Sequence, residues 1–152
     1  MSRLEALADR VELEALVTEY AQAIDDRAWD RLDQVFTPDA QIDYTAMGGI
    51  KGSYPEIKKW LGEALAFFPG FMHLCGNFRF QVTGDTATGS IACFNPMIVP
   101  RQDQSGADTM FLGLWYEDRY VRTAQGWRIA ARSERKSYSF NVPEWMQKAM
   151  NL

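Results

Sequence analysis

His73 is the sole histidine of the chain, and it stands in the largely apolar segment Phe71–Cys75. An imidazole in that setting is either a hydrogen-bonded structural group or a proton-transfer group. A second source of chemistry is the stretch Tyr20–Tyr44, YAQAIDDRAWDRLDQVFTPDAQIDY, which closes an amphipathic helix with acids and aromatics and then runs into a strand. Together they point to one small-molecule pocket whose chemistry is proton transfer. Asp43, Asp85 and Asp118 sit beside apolar neighbours in strand or turn and read as structural or solvent-facing. No His/Asp/Glu set has metal-ligand spacing and there is no Gly-rich phosphate loop, so the expectation is a cofactor-free site.

The elements that must position these groups begin with a capping box, Ser2 with Glu5, followed by Leu13, Leu16, Val17, Tyr20, Ala21 and Ile24 at helical spacing through Asp25. On a helical wheel Asp25 lies about 40° from Ala21 and about 80° from Val17, on the inward flank, whereas Asp26 points to solvent. Trp29, Leu32, Val35 and Phe36 predict a second short helix over about 28–36, stopped at Thr37-Pro38-Asp39. Ala40–Tyr44 alternates as a strand. Ser53, Pro55 and Glu56 open a third helix over about 54–67, whose apolar face carries Trp60, and Pro69-Gly70 closes it.

From Phe71 the punctuation changes. Strands are predicted at 71–82, 86–99, 109–122 and 127–140, with turn signals at Thr83-Gly84-Asp85 and Thr123-Ala124-Gln125-Gly126. Helices followed by an antiparallel meander indicate an α+β fold: a curved antiparallel sheet whose concave face is covered by three N-terminal helices. A tight hairpin at Gly84 pairs Cys75 with Cys93 and His73 with Asn95, so His73, Cys75 and Asn77 share a face, as do Ile91, Cys93, Asn95 and Met97 on the partner strand. In the last strand Ile129, Ala131, Ser133 and Arg135 alternate onto one face, opposite Arg128, Arg132 and Lys136; if Ile129 points inward, so does Arg135. Asn95, Trp60, Phe94, Met97 and Tyr116 are the expected substrate-contacting residues. The tail 141–152, with Trp145, Met146 and Met150, reads as an amphipathic helix that lids the cup or docks on a partner subunit.

Tyr20, Asp25, Trp29, Phe36, Asp39-Ala40, Tyr44, His73, Gly84-Asp85-Thr86-Ala87 and Gly126-Trp127-Arg128-Ile129 together resemble the SnoaL-like branch of the NTF2-like α+β cone superfamily, with its scytalone dehydratase, bile-acid 7α-dehydratase and lindane dehydrochlorinase relatives. The resemblance covers about residues 4–140. It implies a cone-shaped fold and a catalytic pair in which Asp25 orients His73 as base, with Tyr20 and Tyr44 at positions of pocket hydroxyls. Where dehydratase-type relatives add a second histidine or a carboxylate from the next strand, this chain has Asn95 followed by Pro96. Arg135 is the expected cation of the site. The implied activity is that of a dehydratase, isomerase or cyclase working without cofactor; related cone folds also serve as carriers and assembly subunits.

Composition narrows the partners. At 152 residues and 47% hydrophobic positions, the chain suits one globular domain over 1–152 that buries roughly two-thirds of its unfolded surface. A net charge of -4, with no basic cluster beyond Arg132, Arg135 and Lys136, argues against nucleic acid. No apolar run has membrane-spanning length, and the N-terminus carries acids in place of a leader core, so a cytoplasmic protein without membrane partners is expected. Cys75 and Cys93 lack CxxC spacing and read as small core residues. The aromatic content, 13%, suits a hydrophobic, even polycyclic, substrate, and the apolar tail and open sheet face predict a homo-oligomer, most simply a dimer.

Overall fold

A computed structural model describes residues 2–150. The first helix, α1 (Arg3–Asp25), starts at the Ser2/Glu5 capping box, in which the Ser2 amide donates to Glu5 at 2.6 Å and Ser2 Oγ accepts from the Glu5 amide at 3.2 Å. Its buried stripe includes Leu13, Leu16, Val17, Tyr20 and Ile24. Arg27 follows the helix end with φ 55°, and its guanidinium donates to the carbonyls of Leu65 and Phe68 while lying 4.5 Å over the Phe71 ring. Those contacts tie the end of α1 to the segment that carries His73.

A 3-10 turn, Trp29–Gln34, precedes β1 (Phe36–Asp43), and β2 (Lys51–Ser53) leads through a second capping box at Ser53/Glu56 into α2 (Tyr54–Ala64), extended by a 3-10 turn at Leu65–Phe67. The predicted second helix is thus shorter than its apolar spacing implied, and Phe36 already belongs to a strand. Pro38 is tolerated there because the ladder to the last strand breaks between Phe36 and Gln41, where a missing N–H costs nothing.

The meander is β3 (Leu74–Thr83), β4 (Thr86–Pro100), β5 (Ala107–Thr123) and β6 (Gly126–Phe140). The six strands lie in the order β2-β1-β6-β5-β4-β3. All neighbours are antiparallel except β1 and β6, which run parallel, so the sheet is mixed and open. The parallel pair arises because β1, arriving from the helical layer, adds to the free edge that the meander leaves at β6. Cys75 pairs with Cys93, but the hairpin alone does not set this: the register beside the turn, Thr83/Thr86 through Arg79/Ser90, would place Cys75 opposite Phe94, and an irregularity between Gly76 and Arg79 shifts it by one.

Three bulges bend the sheet around the helices. One extra residue sits in β3 between Gly76 and Arg79, where Asn77 adopts φ 51° and leaves the face it was expected to share with Cys75. Two more interrupt β6, at Ala130 between the Tyr120/Ile129 and Arg119/Ala131 pairs and at Ser137 between the Leu114/Lys136 and Gly113/Tyr138 pairs. Each bulge shifts the inward-outward alternation by one residue and increases local twist. The chain ends in α3 (Glu144–Met150), which crosses the mouth of the cup with Met146 buried; the last two residues of the expected tail lie outside the described part. Among the described residues no helix is long and apolar enough to cross a membrane.

Candidate functional site

Asp25, the final residue of α1, holds His73 twice. His73 Nδ1 lies 2.7 Å from Asp25 Oδ1, and the His73 backbone N–H donates to the same carboxylate, at 2.9 Å to Oδ2 and 3.2 Å to Oδ1. With the ring proton on Nδ1 donating to Asp25, the Nε2 lone pair is the free basic atom. One carboxylate therefore fixes the backbone, the ring plane and the tautomer together. The preceding residue is anchored as well: Asn95 Nδ2 donates to the Met72 carbonyl at 2.8 Å and the Met72 N–H donates to the Pro96 carbonyl at 3.2 Å.

His73 opens onto a cavity of about 190 Å³ between the helices and the concave face of the sheet. Its walls include Ile24, Trp60, Leu61, Met97, Leu112 and Leu114, and α3 closes the mouth with Met146 and Met150. A Cβ on Gly48, which has φ 86°, would collide with Met150, and one on Gly49 would meet Tyr44 and Trp60; this pair of glycines lets the loop after β1 pass between the tail and the pocket. A larger and shallower groove of about 560 Å³ crosses the opposite face, lined by solvated side chains such as Lys51, Arg79 and Arg119. The His73 cavity is the better candidate because convergent polar groups line an otherwise apolar, aromatic wall.

Two of those polar groups are tyrosines. The Tyr20 and Tyr44 hydroxyls are 2.8 Å apart and buried. Burial pushes the Tyr20 phenol up to about 12, and burial likewise holds Tyr44 and Tyr116 well above the ordinary phenol value. All three therefore remain proton donors at neutral pH. Beneath them is a cation. Arg132 lies 4.0 Å from the ring centroids of both Tyr20 and Tyr116, and its Nε and Nη2 form a two-pronged ion pair with Asp118, each at 2.7 Å. Both side chains are completely shielded from solvent. Desolvation works against the guanidinium charge, but the attraction and hydrogen bonds of Asp118 outweigh it and hold Arg132 above its ordinary value. Tyr120 donates to the same carboxylate at 2.7 Å. Asp118 is thus structural, as its position implied.

The strand geometry corrects two expectations. Arg135 is not in the cavity: its side chain is 53% exposed on the outer face, paired with Glu117 at 3.0 Å and stacked on Trp115. The bulge at Ala130 is the reason. Ile129 does point inward, but the extra residue reverses the alternation, so Arg132 and Glu134 take the inward positions. Phe94 also faces outward, 40% exposed and stacked on Phe111, because its neighbours Cys93 and Asn95 occupy the inward positions of β4. Asn95, Trp60, Met97 and Tyr116 do line the cavity with Tyr20, Tyr44 and His73.

Glu134 was not foreseen. It lines the cavity, and its Oε2 is buried with no hydrogen-bond partner. Burial pushes its carboxyl up to about 8, against the opposing pull of Arg132 and the Met47 amide and with a smaller contribution from Asp43. Tyr20, Tyr44 and Tyr116 complete its titratable surroundings. A carboxyl that is neutral when folded and ionised when unfolded binds its extra proton only in the folded state between its ordinary value and about 8. Its stabilising proton uptake is therefore lost as pH rises through that window. The urea midpoint of the wild type minus that of Glu134→Gln is expected to fall as pH is raised from about 5 to about 8. A flat difference would show that Glu134 titrates normally.

Among the described residues no group of three or more His, Cys, Asp or Glu side chains is gathered to hold a metal. What the cavity offers is one positioned base, a row of neutral O–H donors and a buried cation behind them. That set can remove a carbon-bound proton and stabilise the negative charge that results.

Residues 5–133 match the SnoaL-like domain family. Over 132 residues the chain is 50% identical to the uncharacterized protein Rv2910c of Mycobacterium tuberculosis, covering 87% of this chain and 88% of that one. Among solved structures, the Kfla4162 protein from Kribbella flavida superposes with a TM-score of 0.81 at 24% identity, covering 90% of this chain and 95% of that one. LinA gives a TM-score of 0.79 at 20% identity, over 95% and 96% of the two chains. A protein described as a scytalone dehydratase from Novosphingobium aromaticivorans gives 0.78 at 18% identity, over 91% and 90%. These similarities place the architecture among NTF2-like folds.

Proposed function

The chain belongs to the SnoaL-like domain family, and from that premise we propose that it is a cofactor-independent lyase or isomerase that removes a carbon-bound proton from a small hydrophobic, ring-containing substrate. The observation that carries this reading is the 2.7 Å bond between Asp25 and His73, with His73 lining the cavity under the helices. Nε2 takes the proton. In the hydrogen-bonded Tyr20–Tyr44 pair one hydroxyl donates to the other, and the remaining O–H is the neutral donor to the oxygen on which charge develops, a charge that the Arg132 guanidinium behind Tyr20 favours. The architectural neighbours include a hexachlorocyclohexane dehydrochlorinase and proteins assigned as dehydratase-like, which supports a lyase reading.

The test uses a phenyl ketone with a para-nitrophenoxy group on its β-carbon. Abstraction of the α-proton expels para-nitrophenolate, which is followed by its visible absorbance. Wild-type protein is expected to accelerate the release, and His73→Ala to abolish the acceleration. Equal rates for the two would leave a ligand-binding module of the same fold as the reading.

The same proposal includes a homodimer. On the outer face, away from the cavity, Leu74, Phe94, Phe111, Tyr138 and Phe140 form a contiguous strip, with Phe111 within 5.8 Å of the Phe94 ring centroid and 6.3 Å of that of Phe140. Tyr138 lies flat across Gly113, where even a methyl group would collide with the ring. Such a strip is more apolar surface than a monomer usually keeps in water, and a second copy of the chain would cover it. Light scattering at micromolar concentration should give twice the 17.4 kDa chain mass. Phe94→Glu with Phe140→Glu should reduce it to one. A monomeric wild type would remove the dimer from the proposal.

A further inference from the structure

The mechanism above uses a base and does not use Glu134. This carboxyl is turned into the His73 cavity by the Ala130 bulge, and its Oε2 has neither solvent nor a hydrogen-bond partner. The one nearby guanidinium, Arg132, has its Nε and Nη2 bonded to Asp118 and makes no bond to Glu134. An ionised carboxylate left unpaired in an apolar wall is costly, while the neutral acid is cheap to keep there and presents an O–H donor. The raised proton affinity described above has the same direction. The cavity thus contains one group that accepts a proton and one that gives one, with their surroundings setting the roles apart.

We propose that Glu134 is the proton donor of this site and that the substrates it serves are β-hydroxy carbonyl compounds, from which it protonates the departing oxygen. The inference rests on the reading of His73 as base. His73 Nε2 takes the α-proton, and the C–H electron pair becomes the new carbon–carbon double bond. The C–O bonding pair leaves with oxygen, which takes the Glu134 proton and departs as water. The site is left with an imidazolium and a carboxylate, and transfer of one proton between them through water restores it. Hydroxide is too basic to leave unassisted, which is why a neutral acid is needed; para-nitrophenolate leaves without one.

Two phenyl ketones of the same skeleton, one with a β-hydroxyl and one with a β-para-nitrophenoxy group, separate the possibilities. Glu134→Gln keeps the shape and removes the acid. It is expected to lower turnover of the hydroxy ketone by about 10²–10⁴ and that of the nitrophenoxy ketone by a clearly smaller factor. His73→Ala should lower both. Equal losses on the two ketones in Glu134→Gln, or no loss on the hydroxy ketone, would overturn the inference and leave His73 as base untouched. A wild type inert toward both would overturn the reading of His73 and this inference with it. A measurement that needs no variant stands beside these: the infrared spectrum of wild-type protein at pH 7 should contain the C=O stretch of a protonated carboxylic acid. A spectrum with carboxylates alone would overturn the assignment of Glu134.

Discussion

His73→Ala and Asp25→Asn are each expected to lower turnover of the nitrophenoxy ketone by about 10²–10⁴, and the double variant is expected to lose little more than either. The non-additivity follows from the geometry. Asp25 Oδ1 holds the ring nitrogen at 2.7 Å, and the same carboxylate holds the His73 amide. Without the imidazole, the carboxylate has no base to orient. Without the carboxylate, the ring loses both its tautomer and its direction toward the cavity. Asp25→Asn retains the size of the side chain, and its amide can offer an N–H to Nδ1, which would favour the tautomer with Nε2 blocked. Folding should survive both changes, because the hydrophobic core that holds α1 on the sheet is untouched. A double variant whose loss is the product of the two single losses would mean that Asp25 and His73 act separately.

Asp118→Asn is expected to destabilise the fold by about 3–5 kcal/mol, measured from urea unfolding midpoints. The size of the effect comes from what remains. Arg132 would keep its charge in a site with no solvent access, with both prongs of its bond to Asp118 weakened and its Nη1 already without a partner. Tyr120 would lose its charged acceptor. The double substitution Asp118→Leu with Arg132→Met should cost less than Asp118→Asn alone, since it removes the buried charge as well as its partner. Turnover should still fall in the double variant, because Tyr20 would no longer lie over a cation. A single variant within about 1 kcal/mol of wild type would show that water reaches Arg132.

Two of the three expected helices were legible in the sequence; the one expected over about 28–36 is a 3-10 turn at Trp29–Gln34. Both capping boxes start helices where they were read, Asp25 falls on the inward flank of α1, and Asp26 is solvated and paired with Arg31. The turn at Gly84 was legible, but the Cys75/Cys93 pair depends on the unsignalled bulge between Gly76 and Arg79, which moves the register by one from the Thr83/Thr86 pair. The last strand was harder for a definite reason. Strict alternation carries a side chain's direction only as far as the next bulge, and neither Ala130 nor Ser137 is marked by a glycine or proline. The charged run Arg132-Ser133-Glu134-Arg135-Lys136 has no apolar residue to report its own phase, so Arg135 was assigned inward while Arg132 and Glu134 occupy those places. The parallel pairing of β1 with β6 was hidden for a similar reason. It joins segments separated by most of the chain, and no local pattern records it.

The cavity lining also contains Met47, Met97, Met146 and Met150, four thioethers drawn from a loop, a strand and the terminal helix. Unbranched and polarisable, such side chains change rotamer at little cost and mould themselves to the flat edge of a ring. A surface of this kind discriminates poorly between ligands that differ by a ring substituent or a methylene, a difference worth only about 1–3 kcal/mol even against a stiff wall. Selectivity then resides with the polar groups of the cavity, whose hydroxyl, imidazole and carboxyl positions are fixed by their hydrogen bonds or by the strand that carries them. Under the proposed function, the protein would accept a range of carbon skeletons while insisting on the placement of one oxygen relative to one acidic C–H bond.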